Sequence, residues 1–310
     1  MIRAGIIGGL HPAAGALIRL LINHPDVELM WVNAPEAEGH TLSAAHRGLI
    51  GETYMRFTSA VDPETVDVIF LCNTDDGESR EFLSRHEIPE RMRVIDFSPD
   101  FRLEPEEVEL PSRWVFALPE LHRKPLVRGA RRAAIPGAIS SAVLLGLLPL
   151  AKGLLLNSPI HTTVMTPSAD DMPPAYPVAY LDHDQVDEIN HALRQLQTSF
   201  CSPINLIASA AGWSRGMVAT SYFETSISLD QARDIFDEFY EDHSFTFVSE
   251  SLPDLREVVG TNRCVIYLEK VKNQLIVTTV IDDILKGSAG NALHTMNLLF
   301  GLQERVGLAR

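Results

Sequence analysis

Few of the nucleophiles, acid–base groups and metal ligands in this chain stand at spacings that form a constellation. Ser140 and Ser141 with His183 would make a hydrolase pair. Both serines open a long apolar segment, however, where their hydroxyls read more naturally as helix N-caps. His161, Asp170, Asp171 and His183 carry metal-ligating atoms but fall on separate segments, without the short spacings of a metal site. Cys72, Cys201 and Cys264 lie far apart and form no Cys-x-x-Cys pair. That argues against a disulfide framework and a zinc cluster, and fits a reducing cytoplasm. Gly8, Gly9 and Gly15 are the remaining pattern with chemical meaning. Glycines after a strand let a pyrophosphate approach the N–H groups that open a helix, although a glycine pair alone is a weak signal.

The elements that would position these groups alternate. Ile2 to Gly8 reads as a buried strand, Pro12 to Asn23 as a helix with Leu17, Leu20 and Leu21 at helical spacing, and Val27 to Val32 as a second strand. Val66 to Cys72 and Arg93 to Phe97 are further strands around a helix at Gly77 to Ser84, and Ala133 and Ala134 lead into one more. Such alternation predicts a doubly wound, Rossmann-like parallel sheet covered on both faces. From Ile139 the pattern changes to a long apolar helix, a Pro-rich segment from Pro167 to Pro177, and strands at Asn205–Ala210, Met217–Ser226, Cys264–Glu269 and Leu275–Ile281. Two helices, Asp184–Leu196 and Leu229–Tyr240, would cover one face of this sheet. The expectation is an α/β domain over residues 1–137 and 287–310, the latter containing an amphipathic helix at Ser288–Phe300, and an α+β domain with a mixed sheet over 138–286.

Composition narrows the function classes. The 310 residues carry 41 Asp and Glu against 26 Lys and Arg, a formal net charge of −15. Arg128, Arg131 and Arg132 flank a strand rather than form a stripe, so neither nucleic acid nor an anionic membrane is an expected partner. The most apolar run, Ala142 to Leu156, is broken by Gly146, Pro149, Lys152 and Gly153 and is too short for a span. The chain is expected to be cytoplasmic.

Five segments, Ile95–Leu103, Phe116–Arg123, Ala133–Ser141, Arg215–Thr220 and Leu285–Ala292, resemble in order and spacing the N-acetyl-gamma-glutamyl-phosphate reductases of arginine biosynthesis, and the likeness runs end to end. In that family the stretch matching Ile135-Pro136-Gly137-Ala138 reads Asn-Pro-Gly-Cys. Its cysteine attacks an acyl phosphate, and the thioester formed is reduced by the nicotinamide of NADP. The resemblance therefore places Ala138 on the nucleophile and Ile135 on the asparagine. It likewise sets His183-Asp184-Gln185-Val186-Asp187-Glu188 on a His-x-His-x-Pro-Glu motif, with Gln185 on the acid–base histidine. Three simultaneous changes point to divergence rather than to a single inactivating replacement.

The resemblance further implies Arg102, His183, Glu188 and Arg215 as substrate-binding candidates, and Gly8, Gly9, His11, Gly15, Asn33, Glu36, Gly137, Lys286 and Asn291 as the cofactor positions. His11 stands where the family has its second glycine, and Pro12 removes a donor N–H. The turn from Asn33 to Glu38 replaces a serine-rich turn that receives the 2′-phosphate of NADP, and Glu36 and Glu38 would repel that phosphate. NADP is thus disfavoured, leaving NAD or no dinucleotide. Asp170 and Asp171 put negative charge where an acyl phosphate is expected. A thioester mechanism needs a thiolate and a titrating acid–base group, and neither Ala nor Gln supplies one. The resulting expectation is a homologue without the family reaction, with a binding, regulatory or assembly role, pairing with itself through the second-domain sheet or with an active reductase paralogue, and open to a small-molecule ligand. The alternative is an active oxidoreductase on an altered substrate, with NAD.

Overall fold

The computed structural model describes residues 1–104, 109–168, 176–179 and 184–308. β1 (Ile2–Ile7) buries its last four residues, and α1 (Pro12–Ile22) lays Ala13, Ala14, Leu17, Ile18 and Leu21 along one apolar stripe. β2 (Val27–Val32) follows, then a short α2 (Leu42–Ala45), β3 (Val68–Leu71), α3 (Glu78–Arg85), β4 (Arg93–Asp96), β5 (Trp114–Phe116), α4 (Pro119–Val127) and β6 (Arg132–Ala134). All six strands pair in parallel, in the order β2-β1-β3-β4-β6-β5. From β1 the chain steps to β2 on one side and to β3 on the other. Right-handed crossovers then place α1 and α3 on opposite faces, which is why β3 is buried at every residue. The doubly wound sheet predicted from the alternating pattern is present.

The second unit begins with α5 (Ala138–Lys152), followed by β7 (Ile160–Pro167), β8 (Tyr176–Ala179), α6 (Asp184–Leu196), β9 (Ile204–Ala211), β10 (Met217–Glu224), α7 (Leu229–Tyr240), β11 (Thr246–Ser249), β12 (Cys264–Val271) and β13 (Gln274–Ile281). Seven strands form a mixed sheet, β11-β12-β13-β10-β7-β9-β8. The covering layer holds three helices rather than the expected two. α5 is apolar all round and buried from Ile139 to Ala151, so it lies directly on β10 and β13 while α6 and α7 pack against it. The opposite face leaves Met165, Ile207, Tyr222 and Phe247 exposed. β7, β8 and β11 are additions to the sequence reading; the Pro-rich segment ends β7 and supplies β8, and residues 169–175 between them lie outside the described residues. The chain divides into two units, Met1–Pro136 with Ser288–Ala309, and Gly137–Gly287.

The returning segment corrects one expectation. A π-helical turn at Leu285–Ala289 leads into α8 (Gly290–Leu299), and α8 is buried at every residue instead of amphipathic. Two of its polar residues bond to the segment that follows: Asn297 Nδ2 donates to the carbonyls of Glu304 (3.1 Å) and Val306 (2.9 Å), and His294 Nε2 meets the Glu304 carboxylate at 2.8 Å. The C-terminal segment thus covers the face that would have met water.

At the end of β4, Asp96 is fully buried and receives the hydroxyls of Ser79 (2.5 Å) and Ser98 (2.8 Å). Burial pushes its carboxyl up to about 6 against those hydrogen bonds. The folded state therefore holds a proton that the unfolded chain releases, and stability falls as pH rises from about 4 to about 6, by an amount on the order of 3 kcal/mol. Asp96→Asn is expected to flatten this slope in urea denaturation followed across that pH window.

Candidate functional site

A helix start exposes backbone N–H groups that need acceptors, and α5 opens without a capping side chain of its own because its N-cap is Gly137. The acceptors come from α6. Glu188 Oε2 accepts from Gly137 N at 2.9 Å and from the Ser140 hydroxyl at 2.5 Å, and Gln185 Oε1 accepts from Ser140 N at 3.0 Å. Residues 185 and 188 are three apart and share one helix face, and a carboxylate suits the positive end of the α5 dipole. The approach is close: a Cβ at 137 would lie 2.1 Å from Gln185 Oε1, so the carboxamide would have to move off the helix start. Ala138 is half-buried, and its methyl lies against Gly287, where an added Cβ would be 2.9 Å away.

Two of the positions singled out in the sequence, Ala138 and Gln185, therefore sit at the same helix terminus, with Gly137 and Glu188. What they present is a methyl group and a carboxamide. Ser140 and Ser141 are not N-caps: they lie a turn inside α5, and the Ser140 hydroxyl is taken up by Gly137 O and Glu188. Cys72 is buried, which pushes its thiol up and away from thiolate chemistry, Cys264 is buried within β12, and Cys201 lies exposed before β9. His183, Asp170 and Asp171 lie outside the described residues. His161 sits on the exposed side of β7, stacked on Tyr222 at 5.1 Å. No group of three metal-ligating side chains occurs among the described residues.

Arg215 is held in an ion pair, its Nε 2.7 Å from the fully buried Asp282. Asp282 also accepts from the backbone N–H groups of Gly260, Ile284 and Leu285, so it fixes the turn leading to Lys286. Lys286 is fully buried with its ammonium 6.0 Å from the centre of the Phe245 ring. Neither Asp282 nor Phe245 was evident in the sequence.

In the first unit, Gly8 takes a positive φ of 73° and Gly9 passes so close to β2 that a Cβ would lie 2.4 Å from Val32. His11 is the N-cap of α1, its Nδ1 accepting from Ala13 N at 3.2 Å. Burial lowers the pKa of this imidazole, which favours the neutral form that can accept. Pro12, next in the chain, has no N–H to offer. His46, missed by sequence reasoning because it lies in an irregular segment far downstream, donates to Gly9 O at 2.6 Å and fills the space beside Gly15. Asn33 is buried with its amide given to the carbonyls of Thr58 and Ser59, Glu36 is exposed, and Glu38 accepts from Ser59. Arg102 donates to Phe97 O, and Asn291 Nδ2 to Ala117 O at 2.8 Å.

Among the described residues no helix is long and apolar enough to cross a membrane. Glu188→Ala would leave Gly137 N without its buried acceptor and the Ser140 hydroxyl with Gly137 O alone, and is expected to lower stability by about 1–3 kcal/mol in urea denaturation.

Comparison with known proteins matches residues 3–128 to the semialdehyde dehydrogenase NAD binding domain and residues 160–283 to the semialdehyde dehydrogenase dimerisation domain. The chain is 42% identical to an N-acetyl-gamma-glutamyl-phosphate reductase of Parabacteroides distasonis and 38% identical to one of Christiangramia forsetii, covering 99% of this chain and 98% of each relative. Among solved structures, aspartate semialdehyde dehydrogenase II of Vibrio cholerae superposes with a TM-score of 0.71 at 14% identity, over 97% of this chain and 98% of that one. Aspartate semialdehyde dehydrogenase of Candida albicans, solved with NADP, gives 0.72 at 12% identity, over the same shares. These two share the fold.

Proposed function

Because the chain belongs to the N-acetyl-gamma-glutamyl-phosphate reductase family and has both semialdehyde dehydrogenase domains, we propose that it is a member that keeps the scaffold without the thioester reaction and serves in binding, regulation or assembly. The observation that carries this reading is the α5 terminus. The family's chemistry needs a thiol and an imidazole, and the matching positions hold Ala138 and Gln185, the latter capping the helix through Ser140 N. A carboxamide does not titrate near neutral pH and a methyl group forms no thioester.

The nucleotide loop supports the same reading. A pyrophosphate at a helix start uses its free N–H groups; here Pro12 has none and Ala13 gives its own to His11. The carboxylates of Glu36 and Glu38 oppose the extra phosphate of NADP. The loop as it stands does not fit the cofactor of the family. With purified protein, phosphate-dependent, NADP-linked oxidation of N-acetylglutamate semialdehyde is expected to be absent. Brisk turnover by the unaided chain would remove the proposal.

Assembly is the part of this role with a surface to perform it. The exposed face of the seven-stranded sheet carries Met165, Ile207, Tyr222 and Phe247, and lies within the segment matching a dimerisation domain. An apolar sheet face of this kind is covered by a second copy in a two-fold, self-complementary arrangement. Replacing Ile207 and Tyr222 with Asp is expected to shift the sedimentation coefficient from that of an oligomer to that of a monomer, with the circular dichroism spectrum unchanged. An active reductase paralogue seated on the same face would appear as a mixed species when the two proteins are combined.

A further inference from the structure

On the α3-covered side of the six-stranded sheet lies a cavity of about 430 Å³, within the range of small-molecule sites. Three of its lining residues, Val94, Arg132 and Trp114, are register neighbours across β4, β6 and β5. They stand at the strand beginnings, whereas Gly8 and the stretch from Ile135 to Gly137 follow the strand ends. Doubly wound sheets bind their nucleotides outside the carboxyl ends of the strands, so this cavity is separate from the positions considered above.

Its chemistry is specific. The rings of Phe101 and Trp114 stack in parallel, centroids 3.9 Å apart and planes 3° from coplanar, both more than nine-tenths buried. A guanidinium lies beside each: that of Arg80 is 4.6 Å from the Phe101 centroid and that of Arg132 is 5.9 Å from Trp114. The two cations differ. Arg80 is paired with Glu104 at 2.7 Å and also donates to Asp100 O, so its charge is answered. Arg132 has no hydrogen bond or ion pair among the described residues, only its aromatic neighbour. Leu83 and Ile88 add apolar wall.

An unanswered guanidinium at an aromatic-walled cavity is the arrangement that recognises a carboxylate attached to an apolar body. We propose that this cavity binds a small amphipathic carboxylate, with Arg132 taking the carboxylate and the aromatic and aliphatic walls the body. The site does not depend on the reading of Ala138 and Gln185, and it gives the chain a ligand class of its own.

The test uses benzoate as probe and benzamide as its neutral counterpart, titrated into the full chain by calorimetry and tryptophan fluorescence. Benzoate is expected to bind saturably and benzamide at least about tenfold more weakly. Arg132→Gln, a change at an exposed and unbonded side chain, is expected to weaken benzoate about tenfold and leave benzamide unaltered. Leu83→Trp, which fills the cavity, is expected to abolish both. Thermal midpoints near that of the parent confirm folded variants, and Arg132→Gln decides the matter if Leu83→Trp does not fold. No saturable benzoate binding, or equal binding by parent and Arg132→Gln, would overturn the proposal.

Discussion

The start of α5 is where the second unit is held together, since a fully buried helix cannot leave its first N–H groups to water. α6 solves this with two side chains on one face, Glu188 and Gln185, which take Gly137 N, Ser140 N and the Ser140 hydroxyl. That contact joins α5 to α6, leaves little room for a side chain at 137, and accompanies the packing of α5 on β10 and β13. The same terminus is the place where an electropositive helix end would lower the pKa of a thiol. In this chain the terminus is used structurally, with an alanine as its first helical residue.

α1 shows a parallel arrangement. There too a helix start that could receive an anion is closed by a side chain of the protein, the neutral imidazole of His11 on Ala13 N, with Pro12 removing a further donor. His46 fixes the loop from outside by bonding Gly9 O and resting on Gly15. In both units, then, internal acceptors take N–H groups that a substrate or cofactor would otherwise compete for. Displacing either acceptor costs a hydrogen bond that is already made, which is a physical reason for the proposed loss of the family reaction, separate from the missing sulfur.

Much of this was legible in the chain because periodicity reports burial. The first four strands of the first unit and the helices Asp184–Leu196 and Leu229–Tyr240 have nearly the bounds that periodicity predicts, whereas the three-residue β5 is too short to show a pattern and β6 ends at Ala134 instead of starting there. α8 was misread because its polar residues follow helical spacing, yet their partners, Glu304 and Val306, lie in a segment with no pattern of its own. β7 escaped notice because its alternation of Thr162, Val164 and Thr166 with exposed residues is weak in hydropathy, although the burial alternates regularly. At the site, Gln185 and Ala138 could be paired only through family resemblance, and no local signal announces that the residue at 185 caps a helix beginning at 138. His46 and Asp282 act through tertiary contacts of the same kind, invisible to spacing.

Buried ionic groups test whether such a scaffold can outlast its chemistry, because each is costly unless fully bonded. Asp282 receives Arg215 and three backbone N–H groups. Glu304 lies between Arg123 and His294, and its carboxyl is held below the usual range chiefly by the His294 hydrogen bond. Asp96 has two hydroxyl donors and remains partly uncompensated, as its raised pKa records. These three networks are bonded without Ala138 or Gln185, whereas Gln185 belongs to the network at the α5 start. A change at either position would leave Asp282, Glu304 and Asp96 with the partners they have, and would act instead on the cap of α5.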